Sequence, residues 1–407
     1  MAFKVACVGI GGFARNYVSA ALTLQGEGKV RLAAAADPFA ERNPETVAAL
    51  RSHDVRLYRT IDELLAAEKG LDLVTIGTGL HLHGPMALAV LKYGAHVFLA
   101  KPSTVTVQSV DRMIEAAEVA RRVLAIDFQH SYTEGAQAIK QAIADGRLGR
   151  VERVSACLIW RRGNHYYTRT PWAGRVKLGD DYVLDGPMNN PHAHYLNNAL
   201  YFACPQRRGF AAPVRVQAEL YRSHAIDNED TACLRAATDS GAEILIASTL
   251  SGQAGPDVTD LRVHGSKGQA AWAMTSYAIR PAGGEPVEKS FPRSKPIHSF
   301  RQVVDCIQIG GRPTVSIADT RSHVLLTNGA YESARTVRTV PPDYIDEQST
   351  KDNDVVPAIR AINSLARQAA AEHRLFSELG VPWAQASPVF DLAGYQRFAL
   401  DLERTRG

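Results

Sequence analysis

The chain has 407 residues, too many for one ordinary core, and 45% of them are apolar, as in a folded globular protein. Its 46 basic and 42 acidic residues nearly cancel, and no basic run interleaved with aromatics argues for nucleic acid. No apolar segment approaches the roughly 20 residues of a membrane helix, so no membrane partner is expected.

The first strand starts by Phe3 or Lys4, which is read as leaving no room for a signal peptide. The five cysteines (Cys7, Cys157, Cys204, Cys233 and Cys306) lie far apart with no C-x-x-C pair, so buried, reduced thiols in a cytoplasmic protein are expected. An apolar run from Val5 ends in Gly9, and Gly9-Ile-Gly11-Gly12-Phe13-Ala14 spells G-x-G-x-x-A. A second run, Val30–Ala36, ends in Asp37, about 23 residues past the motif. Strand, glycine turn, helix, strand and acid in that order form the dinucleotide-binding fingerprint. Gly9 turns the chain out of the strand, Gly11 lets a pyrophosphate approach the backbone, and Ala14 lets helix and strand pack closely. The N–H groups at the helix start face the phosphates, and Asp37 accepts from an adenosine ribose.

The pattern then continues to alternate. Pro44–Ser52 reads as helix and Val55–Tyr58 as strand. Thr60-Ile-Asp-Glu63 is a capping box opening a further helix. Leu73–Ile76 is a strand, followed by the loop Gly77–His83 and a helix, Gly84–Tyr93, with Gly94 just past its end. Ala95–Leu99 is a strand, 108–122 a helix and Val123–Asp127 a last strand. The expectation for residues 1–127 is an α/β domain, a doubly wound parallel sheet.

After Phe128 the alternation stops. Glu134–Asp145 is one amphipathic helix, followed by strand-like runs at Val151–Trp160, Val214–Arg222, Thr231–Thr238, Glu243–Leu250, Leu261–His264 and Gln269–Met274. Residues 128–340 are therefore expected to form an α+β domain on an open, mainly antiparallel sheet. One face is covered by the 134–145 helix and the segment around His194–Ala203. The other is free, so an exposed apolar surface predicts a homodimer or homotetramer through it. Two helices follow, at about Ser299–Ile309 and Ile317–Arg335, the second of them able to pack back on the first domain. Residues 341–407 form an extension, helical where Ile359, Ile362, Leu365 and Ala369 fall at helical spacing.

In a doubly wound sheet the ligand lies at the carboxyl ends of the strands. There stand Thr78, Gly79 and His83 in one loop, Lys101 with Pro102 after the next strand, and Tyr132 after the last. Lys101 is read as the group that polarises a substrate hydroxyl or relays its proton. Asp185-Gly-Pro-Met-Asn-Asn190-Pro-His192-Ala-His194-Tyr-Leu-Asn197 is dense in polar residues, with His194 a general base and Asn190 one helical turn away to orient it or the substrate. Trp160–Arg175 carries Trp160, Tyr167, Trp172 and Arg175, rings and a cation suited to a sugar face and its hydroxyls. His192/His194 and His81/His83 are H-x-H pairs, but no cysteine or acid spacing completes a ligand set, and no metal is expected.

The chain resembles the glucose–fructose oxidoreductase / inositol dehydrogenase (Gfo/Idh/MocA) family over residues 3–340. The resemblance rests on the opening Val8–Ala14, Thr78-Gly-Leu-His-Leu-His83, Gly94-Ala-His-Val-Phe-Leu-Ala-Lys-Pro102, Gly265-Ser-Lys-Gly268 and Ala330-Tyr-Glu-Ser-Ala-Arg335. It implies a Rossmann domain, NAD or NADP, and oxidation or reduction of a sugar or polyol carbon, with Lys101 and His194 as the catalytic pair and a special proline peptide at Lys101–Pro102. Ala100, Asn190 and Asn197 stand where the family often has acids, which points to another substrate or another sharing of the catalytic work.

The expected function is hydride transfer between a nicotinamide cofactor and a ring hydroxyl or ketone of a sugar, polyol or sugar derivative. Asp37 favours NAD by repelling a 2′-phosphate, and Arg42 softens that preference. The alternatives are a redox-neutral enzyme that cleaves glycosides through transient oxidation, and a non-catalytic dinucleotide-binding regulator.

Overall fold

A computed structural model describes residues 3–350 and 352–400. In chain order it begins with β1 (Phe3–Val8), α1 (Arg15–Gly26), β2 (Val30–Ala36), α2 (Pro44–Arg51), β3 (Arg56–Tyr58) and α3 (Ile61–Ala67). Next come β4 (Leu73–Ile76), α4 (His83–Tyr93), β5 (His96–Ala100), α5 (Val107–Ala120), β6 (Leu124–Asp127), α6 (Glu134–Ala144) and β7 (Val151–Ile159). Then follow α7 (Asn164–Thr168), β8 (Lys177–Leu178), β9 (Asp181–Tyr182), α8 (Ala193–Ala203), β10 (Pro213–Arg222), β11 (Thr231–Thr238) and β12 (Glu243–Thr249). The chain continues through β13 (Val258–Gly265), β14 (Gly268–Ala273), β15 (Ser276–Pro281), β16 (Val287–Ser290), α9 (Pro296–Gln308) and α10 (Ile317–Ala334). It ends with β17 (Arg338–Thr339), β18 (Ile345–Ser349), β19 (Val355–Ile359), α11 (Ile362–Glu372) and β20 (Phe390–Asp391).

Two compact units result. The first holds the residues up to Thr104, Ser109–Tyr132 and Ser294–Thr320. Its six strands run in the order β3-β2-β1-β4-β5-β6, every pair parallel. Strands of such a sheet are covered on both faces and read as continuous apolar runs, and Val5, Ala6, Cys7, Leu73, Val74 and Ile76 are all buried. The capping box at Thr60 forms as expected, with Glu63 N donating to Thr60 Oγ1 at 3.1 Å and Thr60 N to Glu63 Oε2 at 3.4 Å. Gly94 ends α4 at φ 95°. Residues 294–320 join this unit from far along the chain. Phe300 of α9 stacks on Phe98 at 5.5 Å, and Ser299 Oγ donates to Asp127 Oδ1 at 2.6 Å.

The second unit comprises Val105–Gln108, Thr133–Arg293 and the chain from Arg321 on. Its main sheet has ten strands, in the order β16-β15-β14-β13-β7-β12-β11-β10-β17, with β20 paired to β10. It is mixed but mostly antiparallel, as the sequence suggests, with β7 and β12 parallel. α8 packs on β7, β12 and β13, and α6 on β14 and β15.

The other face is not free, contrary to expectation. Over β10, β11, β12 and β7 it presents Tyr221, Cys233, Leu245, Ala247, Cys157 and Ile159, and the chain's own extension covers them. Ile362, Ala366 and Ala369 of α11 and then Leu375, Phe376, Val381 and Trp383 are buried against this face. Among the described residues only the half over β13 to β16 stays uncovered, and there the outward side chains include Asp260, Arg262, Gln269, Arg280 and Glu288. Arg262 pairs with Asp260 at 2.9 Å and Arg280 with Glu288. The apolar surface from which self-association was expected is thus satisfied within one chain. No helix among the described residues is long and apolar enough to cross a membrane.

Candidate functional site

The glycine turn is built by close backbone approach. Gly9 sits at φ +87°, a Cβ there would lie 2.7 Å from Gly77 O, and a Cβ on Gly11 would lie 2.7 Å from the Asn43 amide. Gly12, at φ +52°, faces open space, and Phe13 beside it is 44% exposed. Ala14 is buried, and its methyl is what leaves no room for a side chain at Gly77. α1 starts with no side-chain cap and no acid in its first turn. A helix start left open in this way fits an anion such as a pyrophosphate. Asp37 follows β2, and its carboxylate accepts from Ile10 N at 2.9 Å and Phe39 N at 2.8 Å, tying the acid to the turn. The Arg42 guanidinium lies over the Phe39 ring at 4.4 Å.

These contacts make Gly9→Ala a severe change. The new methyl meets a backbone carbonyl, and the left-handed conformation adds strain of about 1–2 kcal/mol. We expect a lower melting temperature and loss of NADH binding, read by fluorescence titration. Unchanged affinity and Tm would refute this account of the turn.

The loop after β4 and the end of β5 are tied together. His83 is buried, with Nδ1 2.8 Å from Pro102 O and Nε2 3.2 Å from Thr78 O. Burial, with the Lys101 charge adding to it, pushes the imidazole down to about 4. A neutral ring donates from one nitrogen only, and the shorter contact assigns that proton to Pro102 O. Thr78 Oγ1 points to Met86 Sδ at 3.5 Å, and Gly79 leads into the short turn that precedes α4. The Lys101–Pro102 peptide is cis, the special peptide that the resemblance implies.

Next to Ala100, where the resemblance implies an acid, the structure places one from another strand. Asp127 pairs with Ala100 in register on the neighbouring strand. It accepts from Tyr17 at 3.0 Å and Ser299 at 2.6 Å. Burial pushes it up to about 6, while those two hydrogen bonds and the Lys101 charge pull it down. Tyr132, expected to face substrate, is instead buried, its hydroxyl accepting from Val315 N at 3.3 Å.

In the second unit the polar segment lies at the entry to α8. Asn190 is not one turn from His194 on a common helix, as expected. It sits in the tight turns before α8, with its N–H on Gly186 O at 3.0 Å, and Pro191 after it disfavours a helical conformation at position 190. His194 is the second residue of α8 and nearly buried.

Asp185 organises the surroundings. It accepts from Asn190 Nδ2 at 2.7 Å, from Gly174 N at 2.8 Å and from Arg169 at 3.3 Å. It therefore ties the Trp160–Arg175 stretch to the segment that carries Asn190 and His194. The Trp160 ring meets His192 edge-on at 4.8 Å, and His192 Nδ1 is 2.7 Å from Ser248 Oγ. Arg169 lies over Trp172 at 5.3 Å, and Arg175 is largely exposed, 3.7 Å from Asp227.

Beneath these are groups the sequence reading did not single out. The Tyr167 ring lies 4.7 Å from that of His224, tilted at 57°, and His224 is bonded to the buried Asp230 at 2.8 Å. Burial alone would raise Asp230, but the His224 hydrogen bond and charge hold it below its ordinary value. Glu229 is fully buried, accepts from Tyr331 at 2.6 Å, and lies where a Cβ on Gly186 would sit 2.0 Å from its Oε1. The one signal for them was the acidic pair Glu229-Asp230 directly before a strand.

A parallel sheet with a phosphate-ready glycine turn, joined to a mixed sheet that gathers polar and aromatic side chains, defines a nicotinamide-dependent oxidoreductase. Comparison with known proteins agrees. Residues 3–128 match the model of an oxidoreductase family with an NAD-binding Rossmann fold, and residues 136–271 match the GFO/IDH/MocA C-terminal domain. The chain belongs to the Gfo/Idh/MocA family of oxidoreductases.

It is 24% identical to D-apiose dehydrogenase of Paraburkholderia graminis over 357 residues, 83% of this chain and 89% of that protein. It is 24% identical to inositol 2-dehydrogenase of Rhizobium meliloti over 302 residues, 74% of this chain and 83% of that protein. Its fold is shared with the WlbA dehydrogenase of Bordetella pertussis, solved with NADH and UDP-GlcNAcA, at TM-score 0.69 and 22% identity, covering 82% of this chain and 97% of that one. It is also shared with levoglucosan dehydrogenase, solved with NADH and levoglucosan, at TM-score 0.69 and 16% identity, covering 82% of this chain and 97% of that one.

Proposed function

We propose that the protein is an NAD-dependent dehydrogenase acting on a ring carbinol or ketone of a sugar, polyol or sugar derivative. The observation that carries this reading is Lys101, set directly past the end of β5 in the unit that holds the glycine turn, its neighbouring peptide carbonyl tied to His83. When bound, the nicotinamide supplies the hydride acceptor or donor. A hydride leaves a carbinol carbon only as the hydroxyl proton is taken. His194 is assigned that proton, Lys101 the developing oxyanion, and Asn190, held by Asp185, the orientation of the substrate. Trp160, Tyr167, Trp172 and Arg175 supply faces and donors for a sugar ring. Tyr132 is given no role in this proposal, since it is buried and its hydroxyl accepts from Val315 N.

Mixing the protein with NAD+ and a panel of D-apiose, myo-inositol, levoglucosan and a UDP-linked sugar acid tests the proposal. NADH absorbance should rise with at least one of them. Tight NADH binding with neither turnover nor deuterium exchange on any sugar would sink it and leave a non-catalytic regulator. The redox-neutral alternative has no observation in its favour.

Asp37 next to the turn supports NAD over NADP. Replacing it with alanine removes a carboxylate that would repel a 2′-phosphate. The ratio of NAD to NADP affinity should then fall about tenfold or more, on the order of 1.4 kcal/mol. An unchanged ratio would remove Asp37 from cofactor choice. A cytoplasmic location is supported by the cysteines, all five of which are free.

A further inference from the structure

We propose that the C-terminal segment 345–400 takes, within one chain, the place of a second copy on this sheet. There it braces the 160–185 stretch, so that the substrate-binding unit is complete in a monomer. The role of that stretch rests on the function proposed above.

The apolar half of the face is closed by residues of the segment itself, from Ile362 to Trp383. The closure is specific as well as apolar. Ser377 donates to the buried Glu219 from both its N–H and its hydroxyl. Gln385 N donates to Tyr221 at 3.0 Å, and Arg235 grips Glu378 through two nitrogens, at 3.1 and 2.8 Å. The uncovered half offers a second copy little, since none of the exposed large apolar side chains among the described residues lies on β13 to β16.

The same segment reaches the loops that carry the candidate sugar-binding residues. Asp354 accepts from His165 N at 3.2 and 3.0 Å, holding the first turn of α7. It approaches so closely that a Cβ on Gly163 would fall 1.9 Å from its Oδ2. Arg161 donates to Gln348 at 3.1 Å. At the far end Tyr182, in the hairpin leading to Asp185, donates to Leu400 O at 2.9 Å, and its ring meets Phe398 at 4.9 Å. Both flanks of the stretch are therefore fastened by one continuous segment. The WlbA structure is covered over 97% of its length while matching only 82% of this chain. About a fifth of this chain thus lies outside that match.

Light scattering on the full chain across a range of concentrations tests the first half of the proposal. A single species at the chain mass of 44.2 kDa is expected; a stable dimer or tetramer would overturn it. Asp354→Ala tests the second half. Amide hydrogen exchange across 160–185 should speed up at least tenfold. With the fastest sugar of the panel, KM should rise several-fold at unchanged kcat, and Asp354→Asn should recover most of the loss. Unaltered exchange in Asp354→Ala would overturn the brace. Wild-type amide exchange in β7, β11 and β12 of the variant shows that the second unit is folded. The mass and exchange readouts need no substrate, so their failure is separable from failure of the proposed activity.

Discussion

Lys101→Ala is expected to lower kcat and kcat/KM together by about 10²–10⁴-fold, the range of a positioned acid–base group. That is about 3–5 kcal/mol of transition-state stabilisation. NADH affinity should change little, because the proposed pyrophosphate and ribose contacts fall on the glycine turn and Asp37, on other loops. A parallel fall of both kinetic constants marks an interaction made only in the transition state. Lys101→Arg separates charge from proton transfer, since a guanidinium keeps its proton. If Lys101 acts only as a cation, the arginine variant recovers part of the rate; if it relays a proton, it does not. Steady-state rates and NADH fluorescence titration are the measurements. Turnover of Lys101→Ala within about twofold of the wild type would remove Lys101 from the chemistry.

The second large effect concerns stability and pH. Glu229 is pushed up to about 8, first by burial and then by the charges of Asp185 and Asp230, while the Tyr331 hydroxyl pulls the other way. In the unfolded chain it returns to its ordinary value near 4.5. Between those two values the folded chain holds a proton that the unfolded chain releases. Its stabilisation is therefore complete below about 4.5, declines as pH rises, and is lost through about 8. At about 1.4 kcal/mol for each pH decade between the two values, the upper limit is about 5 kcal/mol. Thermal melts of the second unit should fall by roughly 5–15 °C between about pH 5 and pH 9. Glu229→Gln keeps an acceptor for Tyr331 and should flatten most of that slope. Asp127, pushed up to about 6 in the other unit, leaves a smaller decline of the same sign at lower pH. A variant with the wild-type slope would show that Glu229 does not hold the proton.

Much of the first unit was legible in the sequence because its signals are local. The glycine turn, the Thr60–Glu63 box and Gly94 each state a backbone need within a few residues, and the strand–helix alternation supplies the topology. The second site was legible only in part. His194 and Asn190 stood out by density of polar residues, but the helix-turn spacing assigned to them ignored Pro191. Asp185 takes its role from Gly174 and Arg169, and Glu229 from Tyr331, 102 positions away. No short window holds both partners.

In the extension, Ile362, Leu365 and Ala369 fall at helical spacing, but nothing near them in the chain names the surface they cover. The target had a signal. Thr231–Thr238 and Glu243–Thr249 carry apolar residues on both faces, Cys233, Leu245 and Ala247 standing opposite Leu234, Ile244 and Ile246, as strands with both sides covered do, whereas Val258–Gly265 alternates and leaves one face polar. Reading the strands for two buried faces instead of one would have located the cover.

The cover over β7, β10, β11 and β12 also fixes an order of events during synthesis. Those strands leave the ribosome before Ile362 to Trp383 have been made. At roughly 5–20 residues per second, the interval is on the order of ten seconds. For that time Cys157, Tyr221, Cys233, Leu245 and Ala247 have no partner of their own chain above them. The nascent chain therefore carries an adhesive strip that only its last stretch can mask, and chains released early by a premature stop keep it bare. Such fragments are destined for chaperones or aggregates even though their nucleotide-binding half is nearly finished.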